Sequence, residues 1–239
     1  MKPERDAYGQ EIWNCHQGTS TCEIVERDDG LIDLGSTLPY FEEYKKWRRD
    51  EREAIGHARG SVLDIGCGAG RVALHLQQQG SKVLAIDRSP LAIKVARLRG
   101  VKSTRVLAIR DIGTLPGRFD TIVLYGNNFG LFGGMTAGRR LLAAMHRITP
   151  PDARIIASTV DPHQTADPIH WAYRQRNLAR GRMSGQLRLR CQRKGAEQRR
   201  GSEGVSGRGQ EVIAGMVLVV IPATTSRRVL RDVNLQTRS

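Results

Sequence analysis

The chain has 239 residues, enough for one domain with a substantial core or for two small ones. Its formal net charge of +14 argues for an acidic partner only if it lies on the folded part, yet residues 1–173 hold 23 Lys and Arg against 20 Asp and Glu, while residues 174–239 hold 15 against 4. Four cysteines, Cys15, Cys22, Cys67 and Cys191, make no CxxC pair, which argues against a disulfide framework and fits a reducing cytosol.

The first residues, "MKPERDAYGQEIWN", are charged and lack the apolar core of a signal peptide, and the longest apolar run, "GMVLVVIPA", is too short to span a bilayer. A soluble, cytoplasmic protein without membrane contact is expected. His16 with Cys15 and Cys22 falls short of a four-ligand set, so no metal is expected.

From Leu38 to Ala58 the spacing of Tyr40, Phe41, Tyr44 and Trp47 predicts one amphipathic helix laid on the domain. Apolar runs then alternate with helical segments: "VLDIG" before residues 71–79, "KVLAID" before 90–99, "TRVLAIRD", "FDTIVLY" before 136–148, and "ARIIASTV". Strands covered by helices on both faces become continuously apolar, so this rhythm predicts a doubly wound α/β fold of Rossmann-like type with a mostly parallel sheet. Ser89-Pro90 supplies a cap and a first-turn proline, and Gly80 and Gly100 stand where helices should stop.

Beyond Tyr173 the chain has no Phe, Tyr or Trp, and "RKGAEQRRGSEGVSGRGQ" is a low-complexity stretch that cannot bury a core. "QLRLRCQ" and "EVIAGMVLVVI" on either side of it read as strands too far apart for an ordinary hairpin, so the C-terminal strands are expected to be atypical or incomplete. The chain divides into an extension over 1–37, the α/β domain over 38–192, and a basic segment over 193–239 that is disordered or non-native. That segment supports three readings: a nucleic-acid-binding tail, a solvated linker, or an altered ending.

Gly66, Gly68 and Gly70 follow the first strand of the rhythm and open a helix, the context in which a ligand approaches bare backbone and helix N-terminal amides. The dinucleotide fingerprint would need a glycine at position 71, where Arg71 stands. An ionised Asp64 beside the loop would repel a pyrophosphate and attract an ammonium or sulfonium group. Asp87, at the end of the next strand, can accept both hydroxyls of a ribose.

"VLDIGCGAGR" resembles motif I of the class I S-adenosylmethionine-dependent methyltransferases, and the resemblance runs through Asp87 and "RDIGTLPGRFDTIVLYGNNFGLFGG" to about Val160. It implies S-adenosyl-L-methionine as cofactor, with Gly66, Cys67, Gly68 and Gly70 along its methionyl part and Asp64 at its amino end. Asp87 with Arg88 would take the ribose, Asp111 and Ile112 the adenine, and Tyr125 would stand at the fourth strand end. Family members usually finish the sheet with two further strands, the last antiparallel.

"YGNNFG" departs from the Asp/Asn-Pro-Pro-aromatic signature of amino methylation of bases, which argues against that class. Asn127, Asn128 and Tyr40 are the candidate acceptor-side residues, and His163 and Asp161 the candidate general bases, by position beyond the fifth strand. The expected reaction is methyl transfer by in-line displacement to a small-molecule acceptor. A nucleic-acid methyltransferase using the basic tail is the second reading, and a nicotinamide-dependent oxidoreductase, disfavoured by Arg71 and Asp64, the third.

Overall fold

The structure, a computed structural model, describes residues 6–20, 22–128, 135–160, 167–182, 189–192 and 216–222. Six strands form the main sheet: β3 (Ser61–Ile65), β4 (Lys82–Asp87), β5 (Thr104–Val106), β6 (Thr121–Leu124), β7 (Arg154–Val160) and β9 (Met216–Pro222), in the order β5-β4-β3-β6-β7-β9. The first five are parallel, with Asp64 opposite both Ala85 and Val123. β9 runs antiparallel beside β7, Arg154 facing Pro222 and Val160 facing Met216. The antiparallel edge therefore comes from "MVLVVIP", and it joins β7 directly.

The sheet has two buried faces because adjacent residues of each strand point to opposite sides. Val62, Ala85, Val123 and Ile156 pack with Val72 and Leu76 of α3 (Arg71–Gln78), Ile93 and Ala96 of α4 (Pro90–Leu98), and Ile55 of α2 (Arg49–Ile55). Leu63, Ile65, Ile86, Ile122 and Leu124 pack on the other side with Leu141, Leu142 and Met145 of α5 (Met135–Arg147). Each aliphatic side chain so enclosed contributes about 1.5–3 kcal/mol. α4 begins as its sequence dictates: the Ser89 hydroxyl accepts from the Ala92 N–H at 2.9 Å and Pro90 fills the first turn.

Residues 38–58 are not one helix. Two short 3₁₀ turns, Leu38–Phe41 and Tyr44–Lys46, precede α2, and extended residues Glu42, Glu43, Trp47 and Arg48 separate them. The aromatic spacing fits a helix, but the rings dock on residues distant in the chain. Tyr40 meets Tyr8 edge-on at 5.6 Å, Tyr44 stacks on His75 at 4.1 Å, and Trp47 packs on Tyr125 at 6.2 Å while its indole N–H donates to the Glu42 carbonyl. Tyr44 and Trp47 also meet each other at 5.5 Å and share His75, and these tertiary contacts override the local helical preference.

Residues before 38 carry structure of their own. α1 (Ala7–His16) lies on α4, burying Ile12 against Ala69, Ala92 and Val95. β1 (Cys22–Arg27) and β2 (Ile32–Ser36) form a hairpin, and β8 (Leu189–Gln192) pairs antiparallel with β1, giving a second sheet ordered β2-β1-β8. α6 (Pro168–Ala179) is tied to the hairpin through Tyr173, whose hydroxyl donates to Asp28 at 2.6 Å, and through Arg27, which lies over the Tyr173 ring and 2.9 Å from His170 Nδ1. The candidate bases Asp161 and His163, and the arginine-rich stretches 193–215 and 223–239, lie outside the described residues. No helix among the described residues is long and apolar enough to cross a membrane.

Candidate functional site

β3 and β6 are neighbours in the sheet, although a long crossover through β4 and β5 separates them in the chain. Open α/β sheets bind ligands outside the strand ends at such a switch point. Two segments emerge there: Gly66–Gly70 after β3, and Tyr125–Asn128 after β6.

The glycine loop is held from both sides. Gly66 and Cys67 donate backbone N–H bonds to the Ile86 carbonyl at 2.8 and 3.0 Å, fixing the loop to β4. Asn128 Nδ2 donates to the carbonyls of Ile65 and Gly66 at 3.0 and 2.9 Å, fixing it to the β6 end. Gly68 and Gly70 have φ of +52° and +84°, a region that side-chain-bearing residues avoid. At Gly70 a Cβ would also stand 2.6 Å from Val101 Cγ2, so the loop turns directly against the end of α4. Gly70 caps α3 without a side chain.

Asp87 ends β4 with both oxygens engaged: Oδ2 accepts from the Gly68 N–H at 3.1 Å and Oδ1 from the Ser89 N–H at 2.9 Å. Burial raises its pKa, and the Ser89 and Gly68 N–H groups work against that rise. Each carboxylate oxygen keeps a lone pair for a further donor.

Asp64 is 1% exposed and lies under the loop on the α3 side, where it accepts from the Ala73 N–H. Burial pushes its carboxyl up to about 7; Arg71 pulls it down, and Asp87 adds to the rise. Burial therefore opposes ionisation of the carboxyl beside the loop, because it has been taken out of water. Its Oδ2 has no hydrogen-bond partner among the described residues.

Arg71, which breaks the dinucleotide pattern, joins the site to the core. Its Nη1 and Nη2 donate to Glu51 at 3.1 and 2.7 Å, and its guanidinium lies 4.7 Å over the Trp47 ring. The Tyr125 hydroxyl donates to the Glu51 carbonyl at 2.7 Å. Tyr125 is thus buried with its hydroxyl spent, and it supports the loop from beneath. Cys67 is also buried, and burial pushes its thiol up.

The other sequence candidates divide in the same way. Ile112 is fully buried in the core, within the 3₁₀ turn Ile109–Thr114. Asp111 has a half-exposed side chain with a loose 3.7 Å contact to Arg110, and Arg88 is exposed. Asn127 adopts φ of +66° and accepts from the Thr159 hydroxyl at 3.2 Å. Tyr40 lies over the loop, its Cδ1 3.6 Å from where a Gly68 Cβ would be, and its hydroxyl donates to Glu23 Oε1 at 3.4 Å.

Several residues around the loop escaped the sequence reading. Tyr8 of α1 brings its hydroxyl to 3.0 Å from the would-be Cβ of Gly68. Asp6 caps α1 by accepting from the Gly9 N–H at 3.0 Å, and its other oxygen accepts from the Ser89 hydroxyl at 2.8 Å and the Leu91 N–H at 3.2 Å. Arg99 donates to the carbonyls of Ala69 at 2.7 Å and Phe41 at 3.0 Å, pinning the 3₁₀ turn at Leu38–Phe41 to the loop. "DAYGQEI" carried a usable signal, a helix cap followed by Tyr8, Glu11 and Ile12 at helical spacing; nothing local marks Arg99.

Residues 62–152 match the family model described as "Methyltransferase domain". A SAM-dependent methyltransferase from Bacteroides fragilis, solved in complex with S-adenosyl-L-homocysteine, is similar with a TM-score of 0.68 and 28% identity over 81% of this chain and 78% of that one. The "Ubiquinone biosynthesis O-methyltransferase" of Xylella fastidiosa (strain 9a5c) is 34% identical over 106 residues, 42% of each chain. The protein of the same name from Pseudomonas paraeruginosa (strain DSM 24068 / PA7) is 28% identical over 120 residues, 48% of this chain and 50% of that one. The chain spans half or less of these two curated relatives.

With that fold and that loop, residues 62–152 form a domain similar to those of S-adenosylmethionine-dependent methyltransferases. S-adenosylmethionine is the cofactor of the class, and the residues here fit it. The glycine loop carries no side chains of its own at Gly66 and Gly68, Asp87 stands beside it, and Asp64 holds an unsatisfied buried oxygen.

Proposed function

We propose that the chain transfers a methyl group from S-adenosylmethionine to a small-molecule acceptor by in-line displacement. The observation that carries this reading is Asp87 held against the Gly68 N–H at the switch point, because one carboxylate there is oriented by the loop and keeps a lone pair on each oxygen for a ribose hydroxyl. The names of the ubiquinone-biosynthesis relatives support a small-molecule acceptor.

In this reading Gly66, Cys67, Gly68 and Gly70 offer backbone to the methionyl part, Asp64 acts on its amino end, and Asp87 with Arg88 binds the ribose. Asp111 and the Ile112 N–H serve the adenine, and Tyr125 holds the loop in place. Asn127, Asn128 and Tyr40 border the acceptor side. The bound cofactor supplies an electrophilic methyl on a positively charged sulfur. The protein's task is then alignment, since fixing two reactants in line replaces a bimolecular encounter.

Calorimetric titration of the full chain with S-adenosylmethionine, S-adenosylhomocysteine and NAD tests the proposal. Both methionine derivatives bind wild type, and Asp87→Ala loses about 100-fold or more, as expected for two charge-assisted hydrogen bonds of ~1.5–3 kcal/mol each. Binding of NAD alone would overturn it.

A further inference from the structure

Glu11 of α1 is 2% exposed, and among the described residues neither of its carboxylate oxygens has a hydrogen-bond partner. Glu23 of β1 lies within electrostatic reach of Glu11, and its carboxylate accepts from the Tyr40 hydroxyl at 3.4 Å. Neither carboxylate takes part in an ion pair among the described residues. An enclosed acid beside a half-buried one, neither paired with a cation, is costly to fold around, so a positive ligand at the pair would relieve the cost.

The position of the pair indicates which ligand. Tyr8 and Glu11 are one helical turn apart on α1 and so share a face. The Tyr8 hydroxyl reaches Gly68, and Tyr8 is within electrostatic reach of Asp87 and of Glu23. Tyr40 bridges the same gap from the other side, its ring at Gly68 and its hydroxyl at Glu23. The two tyrosine rings meet edge to face at 5.6 Å. Aromatic faces beside carboxylates recognise ammonium groups through both cation–π attraction and charge.

We infer that Glu11 and Glu23, with Tyr8 and Tyr40, form the acceptor subsite and that the acceptor is a primary or secondary amine methylated on nitrogen. The inference rests on the methyl-donor reading above. The amine enters as an ammonium ion and gives a proton to one of the two carboxylates. Its freed lone pair bonds to the methyl carbon as the carbon–sulfur bond breaks, that electron pair remaining on sulfur, which becomes a neutral thioether. Nitrogen takes over the positive charge, and the carboxyl returns its proton to solvent.

The test loads the full chain with S-adenosylhomocysteine and titrates it by calorimetry with benzylamine and ethanolamine, and with catechol and benzyl alcohol as uncharged hydroxyl acceptors. Incubation of the same four compounds with methyl-labelled S-adenosylmethionine identifies the atom that is methylated. The amines bind and are labelled on nitrogen; Glu11→Gln and Glu23→Gln each weaken amine binding at least 10-fold and leave S-adenosylhomocysteine affinity within 2-fold. Tyr40→Phe, which keeps the ring, weakens it less than either, and thermal unfolding verifies that all three variants are folded.

Three results overturn the inference while leaving the methyl-donor reading intact: labelling of catechol or benzyl alcohol with no binding of either amine, amine binding unchanged in both glutamine variants, or a loss that falls on S-adenosylhomocysteine, which would assign the acids to the donor's own amino group. Failure of wild type to bind S-adenosylhomocysteine sinks both readings together.

Discussion

Gly70 and Gly80 have the same φ, +84°, and differ in surroundings, which makes them a matched pair. At Gly80 a Cβ would meet nothing within 4 Å; at Gly70 it would meet Val101 Cγ2 at 2.6 Å and Ala96 Cβ at 3.2 Å, both side chains buried. Gly80→Ala therefore carries only the left-handed backbone penalty, about 1–2 kcal/mol. Gly70→Ala carries that and overpacking against a stiff valine, a further ~1–3 kcal/mol. In a domain of this size each kcal/mol lowers Tm by about 2–4 °C, so Gly70→Ala should melt roughly 2–12 °C below Gly80→Ala. Chemical denaturation of both variants, with equal m-values as the control, measures the difference directly. Equal losses at the two positions would refute the view that the loop is packed hard against α4.

Other perturbations read other parts of the site. Asp64 has a folded-state pKa of about 7, above its ordinary value, so the native state holds a proton that the unfolded chain releases. Its contribution is complete below pH 4 and is lost as pH rises to about 7, at most ~4 kcal/mol. Asp64→Asn, which keeps an acceptor for the Ala73 N–H, should flatten urea stability between pH 4 and 7; parallel curves for the two proteins would contradict this. Removing one member of the Arg71–Glu51 pair leaves the other buried and unpaired, so Glu51→Ala should cost about 3–5 kcal/mol. Glu51→Ala combined with Arg71→Met should cost much less than the sum of the single changes, as a double-mutant cycle will show. Asp6→Ala removes a helix cap and strands the Leu91 N–H, a loss of about 2–4 kcal/mol in denaturant titration, whereas a surface aspartate elsewhere should lose less than ~0.5.

The parallel strands were readable because burial on both faces writes itself as unbroken apolar runs, and the loop because glycine at every second position has few other uses. The stretch from Leu38 to Ala58 misled for a physical reason. Tyr40, Tyr44 and Trp47 have helical spacing, yet their rings dock on Tyr8, His75 and Tyr125, and no local pattern reports a neighbour that lies far away in the chain. The β1–β2 hairpin had a signal in "ERDDGLI", a polar turn with Gly30 at φ +88° between two strand-like runs. Tyr8, Glu11 and Glu23 became visible as a group only once α1 and β1 were seen to meet over Gly68, because two of them are on a helix and one on a strand.

Asp6 joins the starting ends of two helices. Through Gly9 it closes α1, and through the Ser89 hydroxyl it is joined to the residue that closes α4 and that also donates to Asp87. A carboxylate shared in this way makes the two helix ends a single mechanical unit: α1 cannot lift away without disturbing the cap at Ser89. Amide exchange at Gly9 and Ala92 should follow a common opening rate, and a ligand at Asp87 should slow both.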